Sequence, residues 1–407
     1  AAISGLTVYG FTALLNPFAT TFGWGYAYIS LARSLHALEG GALSPLVGRL
    51  VDRWPARRLI IMGVTLTGLG LICLSQTTNL VMFYASFLIM GLGGSLSSTM
   101  VPTATIVRWF KRNVGKANGI LAMGLGIGGV LVPLVVKTID TYGWQTSLVI
   151  FAAGLIVLGI SLSFVFRNRP GDYGLLIDGR QPYNTIGLND AVSPEIHDFS
   201  LGVKEALKTK AFWMMGIAYM LQAAGGNTAL THIMPYLDSL GMERATAGMV
   251  AMLIPLVSLT VRLPYGWLAD IFKMKYMAAT AFALSGLGLF LFSRLDPSSI
   301  TSLILAIIFL GLGIGGVQPL RAPVLREYYG PKNFGTLFGL NFMFMTMGMV
   351  IGAPLAGWIY DTRGMYDPIW LILSAGVMVG AILMFSLPPS RVRNLPGDNT
   401  DTHHVSP

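Results

Sequence analysis

Arg262 sits between Val261 and Leu263, inside an apolar run long enough to cross a bilayer. A guanidinium at that depth costs at least about 2.5–3.5 kcal/mol to insert, so it asks for a partner. No acid lies within one helical turn of it in the sequence, and Asp270 is two turns away. The expected partner is therefore an anion brought by a cargo, because guanidinium and carboxylate meet two-pronged and fix each other's orientation. The competing reading is a structural arginine bonded to backbone carbonyls exposed near Pro255 or Pro264.

A second constellation is duplicated. Gly48, Leu50, Asp52, Arg53, Arg57 and Arg58 recur in weakened form as Gly266, Leu268, Asp270, Lys273 and Lys275, with Gly48 to Gly266 and Asp52 to Asp270 both 218 residues apart. A carboxylate at the end of a helix can accept from the N-terminal amides of a neighbouring helix. Asp52, Arg53 and Asp270 are accordingly expected to form a conformational latch, with Arg57 and Arg58 either joining it or marking topology alone. Proton handling needs a titratable group, and the candidates are His232 and Asp238, near the outer end of helix seven, and Glu39 in helix two. His232 precedes Pro235, an expected helix break, and can equally be an interfacial hydrogen-bonder. Glu39 lies one turn after His36 and two after Arg33, so these three can instead neutralise one another.

The elements that carry these residues are membrane helices. Hydrophobic residues make up 54% and charged ones 11% of the 407, and the mean hydropathy is +0.65, values outside the range of a soluble globule. Apolar runs of about 20 residues, the length of a span, predict twelve helices, at 1–18, 25–51, 59–76, 79–107, 115–137, 145–166, 211–236, 245–268, 276–293, 301–325, 335–360 and 366–387. No Met and no charged lead precede Ala1, so the first helix is expected to begin upstream rather than to be a signal peptide. The polar stretch from Arg167 to Lys210 divides the chain into a bundle at 1–166, a linker at 167–210, a second bundle at 211–387 and a tail at 388–407.

The net charge of +9 falls in alternate loops, which argues for topology and against a nucleic-acid partner. Arg53, Arg57 and Arg58; Arg108, Lys111, Arg112 and Lys116; Lys273 and Lys275; and Arg326 and Lys332 follow helices two, four, eight and ten. That places these turns and both termini in the cytoplasm of a multi-pass protein of the cell membrane. Gly115, Gly119 and Pro133 of helix five match Gly335, Gly339 and Pro354 of helix eleven, and Arg108 and Arg326 close the preceding helices. The fold expected is all-α, two six-helix bundles related by a parallel pseudo-repeat.

Two matches to G-x-G-x-x-G, at 124–129 and 311–316, neither follow a strand nor open a βαβ unit, so they are read as helix packing. No nucleophile elbow, metal-binding His pair or carboxylate pair is present, and Cys73 is the single cysteine. An enzyme, a cofactor and a metal are therefore not expected.

The turn Gly48-Arg-Leu-Val-Asp52-Arg53-Trp-Pro-Ala-Arg57-Arg58 resembles the helix two/three motif of the major facilitator superfamily. Three stretches resemble its oxalate/formate antiporter and monocarboxylate porter branch: Phe22-Gly-Trp24 through Glu39-Gly40-Gly41, Arg108-Trp109-Phe110 through Gly115-Lys-Ala-Asn-Gly119, and Arg169-Pro170-Gly-Asp-Tyr173-Gly174. The resemblance implies a secondary carrier that rocks two halves around a central site. It also implies that a helix-eight arginine, here Arg262, holds the substrate carboxylate, with an aromatic hydroxyl at Tyr9 beside it. Many monocarboxylate transporters of the branch carry an Asp four residues before this arginine, where Ser258 stands here. Oxalate exchangers of the branch carry a helix-eleven lysine as second cation, and the stretch Leu340 to Met347 has none.

One cation in a methionine-rich cavity suits one carboxylate with a small apolar tail, as in lactate or pyruvate. A lone anion entering a cell negative inside by about 100 mV works against about 2.3 kcal/mol, whereas anion plus proton is electrically silent. The chain thus reads as a monomeric symporter of a small monocarboxylate and a proton, working by alternating access. Thr99, Asn227 and Gln318 are expected to line its cavity, with Gln222 beside them. Phe342 and Met345 either line it or only pack, and Arg321 is a secondary anion contact, a bridge to helix four or an interfacial anchor. The alternatives are an organic-anion exchanger, an exporter of amphipathic compounds and, from another class, a non-transporting membrane sensor.

Overall fold

The computed structural model describes residues 14, 17–24, 26–97, 99–130, 132–168, 170–175, 177–179, 200–295 and 299–389. Among them the regular structure is helical, without strands. Helix two is Tyr26–Arg53, helix three Ala56–Ser75 and helix six Trp144–Ser163. Helix four runs as Leu80–Ser97 and Met100–Trp109, and helix five as Val114–Val130 and Val132–Tyr142. The second half holds helix seven, Lys210–Ser239, helix eight, Arg244–Ile271, helix nine, Met274–Phe292, helix ten, Ile300–Tyr329, helix eleven, Phe334–Arg363, and helix twelve, Asp367–Phe385. Helix one lies outside the described residues except for its end. Eight of the described helices are long and apolar enough to cross a bilayer.

Several helices outrun their apolar spans. Helix ten continues through Arg326 to Tyr329, and helix eleven starts at Phe334 and ends at Arg363. Hydropathy marks only the part that sits in hydrocarbon, and a helix is free to continue into the interface. The capping glycines Gly330 and Gly364, at φ 75° and 70°, end these two. The break expected at Pro235 does not occur: helix seven passes through it, as helix eight passes through Pro255 and Pro264. Losing one amide from a helix costs less than unwinding it where backbone groups have no water to bond.

The two halves repeat one packing plan. Helix three packs on four and six, and helix nine on ten and twelve. Between the halves there are two seams, helix two against eleven and helix five against eight, with helix ten also reaching helix five. Glycine makes both seams possible. A Cβ on Gly48 would stand 2.6 Å from the Gly335 carbonyl carbon, and one on Gly266 would stand 3.0 Å from that of Gly115. Main chains so close supply the contact that lipid does not enforce.

The linker is pinned at both ends to turns on one face of the bundle. Asp178 accepts from the amides of Lys111 and Arg112, at 3.0 and 3.1 Å. Further on, the Leu201 amide donates to the Tyr329 carbonyl at 3.1 Å, and the Asn333 side chain donates to the Leu201 carbonyl at 2.9 Å.

Candidate functional site

Asp52 and Asp270 accept hydrogen bonds across the halves at the basic face of the molecule in matching ways. Asp52, at the end of helix two, accepts from the Gly335 amide at 2.7 Å, the Thr336 amide at 2.8 Å and the Thr336 hydroxyl at 2.7 Å. Asp270, at the end of helix eight, accepts from the amides of Gly115 at 2.7 Å and Lys116 at 2.9 Å. Each carboxylate thus sits on the N-terminus of a helix from the other half, where unpaired amides and the helix dipole favour a negative charge. Arg53 is exposed, and Arg57 lies over the Phe164 ring of its own half at 3.6 Å. The cross-half bonds described at these turns come from the acids. Deeper in the first seam, the Ser44 hydroxyl donates to the Gly339 carbonyl at 2.7 Å.

Behind the seams lies a small pocket walled by helices four, five, ten and eleven. Its polar lining is Thr99, Thr103, Asn118, Gln318 and Arg321. Arg262 reaches the same wall: its Nη1 donates at 2.6 Å to the carbonyl of Ala122, a lining residue on helix five. The sequence reading offered carbonyls near Pro255 or Pro264 as a structural partner, and the carbonyl engaged here belongs to the other half of the molecule. A carbonyl orients a guanidinium but brings no net charge.

Arg321 is 7% exposed. Its guanidinium carbon lies 4.2 Å from the Phe338 ring centre and 5.2 Å from that of Phe342. Its Nη1 lies 3.0 Å from the Met345 sulfur. Phe342 and Met345 are therefore brought to the cavity as the flank of a buried cation. Thr99 and Gln318 line the cavity directly.

Other expected residues lie elsewhere. Asn227 is half-buried on helix seven, and Gln222 donates to the Ser285 hydroxyl of helix nine at 2.8 Å, a bond inside one half. Asp238 is exposed. The His232 ring contacts the Ala353 carbonyl at 3.0 Å and the Tyr366 hydroxyl at 3.4 Å. Glu39 is half-buried, with Oε2 enclosed and without a hydrogen-bond partner among the described residues. It packs at Gly91 of helix four, where a Cβ would stand 2.8 Å from its carboxyl carbon and 3.2 Å from His36 Nδ1. Tyr9, and the side chain of Arg33, lie outside the described residues.

Sequence reasoning did not single out Thr103, Asn118 or Phe338. The duplication carries a usable signal for one of them. Arg262 lies 218 residues after Ser44 and Arg321 lies 218 after Thr103, the offset that relates Asp52 to Asp270 and Arg108 to Arg326. The two cavity cations thus stand where the first half has small hydroxyls.

Comparison with known proteins gives the context. A family model described as Major Facilitator Superfamily matches residues 1–254 and again 217–407. The chain is 26% identical to human monocarboxylate transporter 11 over 365 residues, covering 85% of this chain and 72% of that one. To monocarboxylate transporter 12 of Xenopus laevis it is 25% identical over 391 residues, covering 90% and 82%. Among solved structures, the E. coli protein FucP in its outward conformation superposes with a TM-score of 0.69 at 16% identity, over 95% of this chain and 96% of that one.

Proposed function

We propose that this chain, which belongs to the Major Facilitator Superfamily and within it is related to the monocarboxylate transporters, carries a small organic carboxylate together with a proton across a cell membrane. The observation that carries the reading is Arg262: a guanidinium in the middle of a membrane helix, oriented by a carbonyl of the opposite half at the wall of a polar cavity. A carboxylate arriving there gains two parallel charge-assisted hydrogen bonds. Because Ala122 belongs to helix five and Arg262 to helix eight, separating the halves at that seam breaks the bond and frees donors for the cargo. With Arg262 as its cation, the site suits the charge of a monocarboxylate such as lactate or pyruvate. Exchange of acids with two carboxylates is a second reading, favoured by the buried Arg321 on the same cavity.

The bundles at 1–166 and 211–387 are the rocking bodies in this reading, with 167–210 as linker and 388–407 as tail. The basic face is the cytoplasmic one, so the arrangement with both aspartates seated is the state closed to the cytoplasm. Glu39 is the group we assign to the proton, since its enclosed Oε2 lacks a hydrogen bond among the described residues while both nitrogens of His232 are engaged.

Flux in proteoliposomes tests the assignment. Arg262→Lys should abolish saturable lactate or pyruvate uptake while leaving the purified protein monodisperse, because an ammonium loses the two-pronged contact. Near-normal uptake in that variant rejects Arg262 as the anchor. Wild-type uptake should rise with an inward pH gradient at zero membrane potential, and Glu39→Gln should remove that response while sparing exchange. Uptake driven by potential alone rejects the proton.

A further inference from the structure

We propose that Gly91 of helix four is the positioning residue of the proton site: its bare backbone lets the Glu39 carboxyl and the His36 ring share one slot between helices two and four, and the pair holds the transported proton there. This rests on the assignment of the proton to Glu39 above and names what shapes that site.

His36 and Glu39 are three residues apart on helix two, so they stand one above the other on one face. A Cβ on Gly91 would stand 2.8 Å from the Glu39 carboxyl carbon and 3.2 Å from His36 Nδ1, so both titratable groups converge on one point of helix four. Glu39 Oε2 is enclosed there, without a hydrogen-bond partner among the described residues. His36 Nδ1 lies 3.5 Å from the Phe87 carbonyl oxygen. The pair can hold one added proton as carboxyl beside neutral imidazole or as carboxylate beside imidazolium. In either form one O–H or N–H bond is made on loading and broken on release.

The elements around the slot bring few rival groups. Helix four has Tyr84, two turns from Gly91, whose hydroxyl donates to the Tyr28 carbonyl at 3.0 Å, and Arg108 at its basic end, which donates to the Val51 carbonyl at 2.6 Å. Helix eleven has no titratable residue from Phe334 to Trp358, helix three has Cys73 alone from Leu59 to Ser75, and the span of helix one has Tyr9. On helix two itself, Arg33 precedes His36 by one turn.

Three glycines of helix four have different uses. Gly93 faces helix three, where a Cβ would stand 2.6 Å from the Gly63 carbonyl oxygen, a main-chain atom. Gly94 has His36 Cε1 at 3.9 Å and so has room for a methyl group. At Gly91 the nearest atoms belong to the side chains of Glu39 and His36. A methyl group added there displaces the end of a flexible side chain, not a helix, and alanine favours the helix itself. Helices two and four belong to one half, so the contact persists while the halves rock. Two residues beyond Glu39, Gly41 faces helix eleven, where a Cβ would stand 2.6 Å from Thr346 Cβ. The slot therefore borders the first seam, and its access follows the opening of that seam.

The test uses the full chain in proteoliposomes and two lactate fluxes: net uptake driven by an inward pH gradient at zero membrane potential, and lactate exchange at equal pH, which needs no proton release. Gly91→Ala should lower the gradient-driven flux by about tenfold or more, the least expected when a proton-carrying group is misplaced. It should leave exchange within about threefold of wild type and flatten the pH profile of uptake, as expected if proton loading alone is impaired. Gly94→Ala should match the wild type in both fluxes. Glu39→Asp in the Gly91→Ala background draws the carboxyl back by one methylene, and should raise the gradient-driven flux above that of Gly91→Ala by about threefold or more. His36→Gln should lower the gradient response and spare exchange.

The proposal is overturned if Gly91→Ala responds to the gradient as the wild type does, if it lowers both fluxes in the same proportion, or if Glu39→Asp restores nothing. Should Gly91→Ala fail to fold, His36→Gln decides: a lost gradient response with exchange retained upholds the shared slot, and a wild-type response overturns it. A gradient response that Glu39→Gln abolishes and Gly91→Ala leaves intact sinks this proposal while the assignment of the proton to Glu39 stands. Should the wild type move no lactate, the carrier reading fails by itself and the melting temperature followed against pH decides the slot. A step in that profile that Gly94→Ala keeps and Gly91→Ala displaces upholds the pair, and identical profiles overturn it.

Discussion

The seam of helices two and eleven and the seam of helices five and eight are built from one duplicated pattern, yet they are not equivalent. In the first, Asp52 receives three hydrogen bonds, Gly48 lies against Gly335, and Ser44 bonds the Gly339 carbonyl. In the second, Asp270 receives two, Gly266 lies against Gly115, and the place of Ser44 is taken by Arg262, which bonds a carbonyl of helix five. The polar groups named in the first seam hold its two helices together. The second gives up one such bond's worth of closure and gains a charged group at the wall of the cavity. Duplication set the scaffold, and the departures from it mark the site.

That contrast predicts unequal latches. Hydrogen bonds to a charged group contribute about 1.5–3 kcal/mol each. An asparagine at either position keeps one acceptor oxygen and turns an NH2 toward an amide donor. Asp52→Asn should therefore shift the balance toward the state open on the basic face by about 100-fold, as expected for the loss of at least one charged bond with a donor left facing a donor. Asp270→Asn should shift it by about tenfold, having one bond fewer to lose. The readout is labelling of Thr103→Cys in a Cys73→Ser background by an impermeant maleimide applied to the basic face. Equal labelling in the two variants, or a larger effect at Asp270, removes the asymmetry.

Much of this architecture is legible in the sequence. Lipid leaves few options for a backbone, so apolar run length gives the helices, and the 218-residue register gives the repeat. The two aspartates were legible for the same reason: topology explains basic residues in a turn but asks for no acid. Helix ends were not, since a helix keeps its hydrogen bonds past the hydrocarbon boundary. The cavity was legible only in part. Thr99 and Gln318 line it and Arg262 reaches it, but Asn227, Gln222, His232 and Asp238 face other surroundings, because polarity in a helix does not say which neighbour the helix turns toward. Arg321 was legible as a secondary anion contact, a bridge to helix four or an interfacial anchor, yet its burial and its cage of Phe338, Phe342 and Met345 need helix ten and helix eleven placed side by side.

The smallest expected effects concern the glycines, and they separate the seams most finely. A Cβ on Gly48 meets the Gly335 carbonyl carbon at 2.6 Å and the Thr336 Cα at 2.9 Å. These are main-chain atoms that retreat only if the helices part. A Cβ on Gly119 meets the Arg262 carbonyl oxygen at 3.0 Å and the Leu263 Cα at 3.4 Å, a shortfall of a few tenths of an ångström that a slight tilt absorbs. Overpacking costs about 1–3 kcal/mol where the surroundings are rigid, so Gly48→Ala should lower the melting temperature of the purified protein by several degrees. Gly119→Ala should lower it by a degree or two, and should weaken carboxylate uptake more than it weakens folding, because the displaced backbone is the one that carries Arg262. If Gly48→Ala leaves both stability and closure of the basic face untouched, the first seam is looser than its geometry implies, and the argument that it serves closure alone loses its footing.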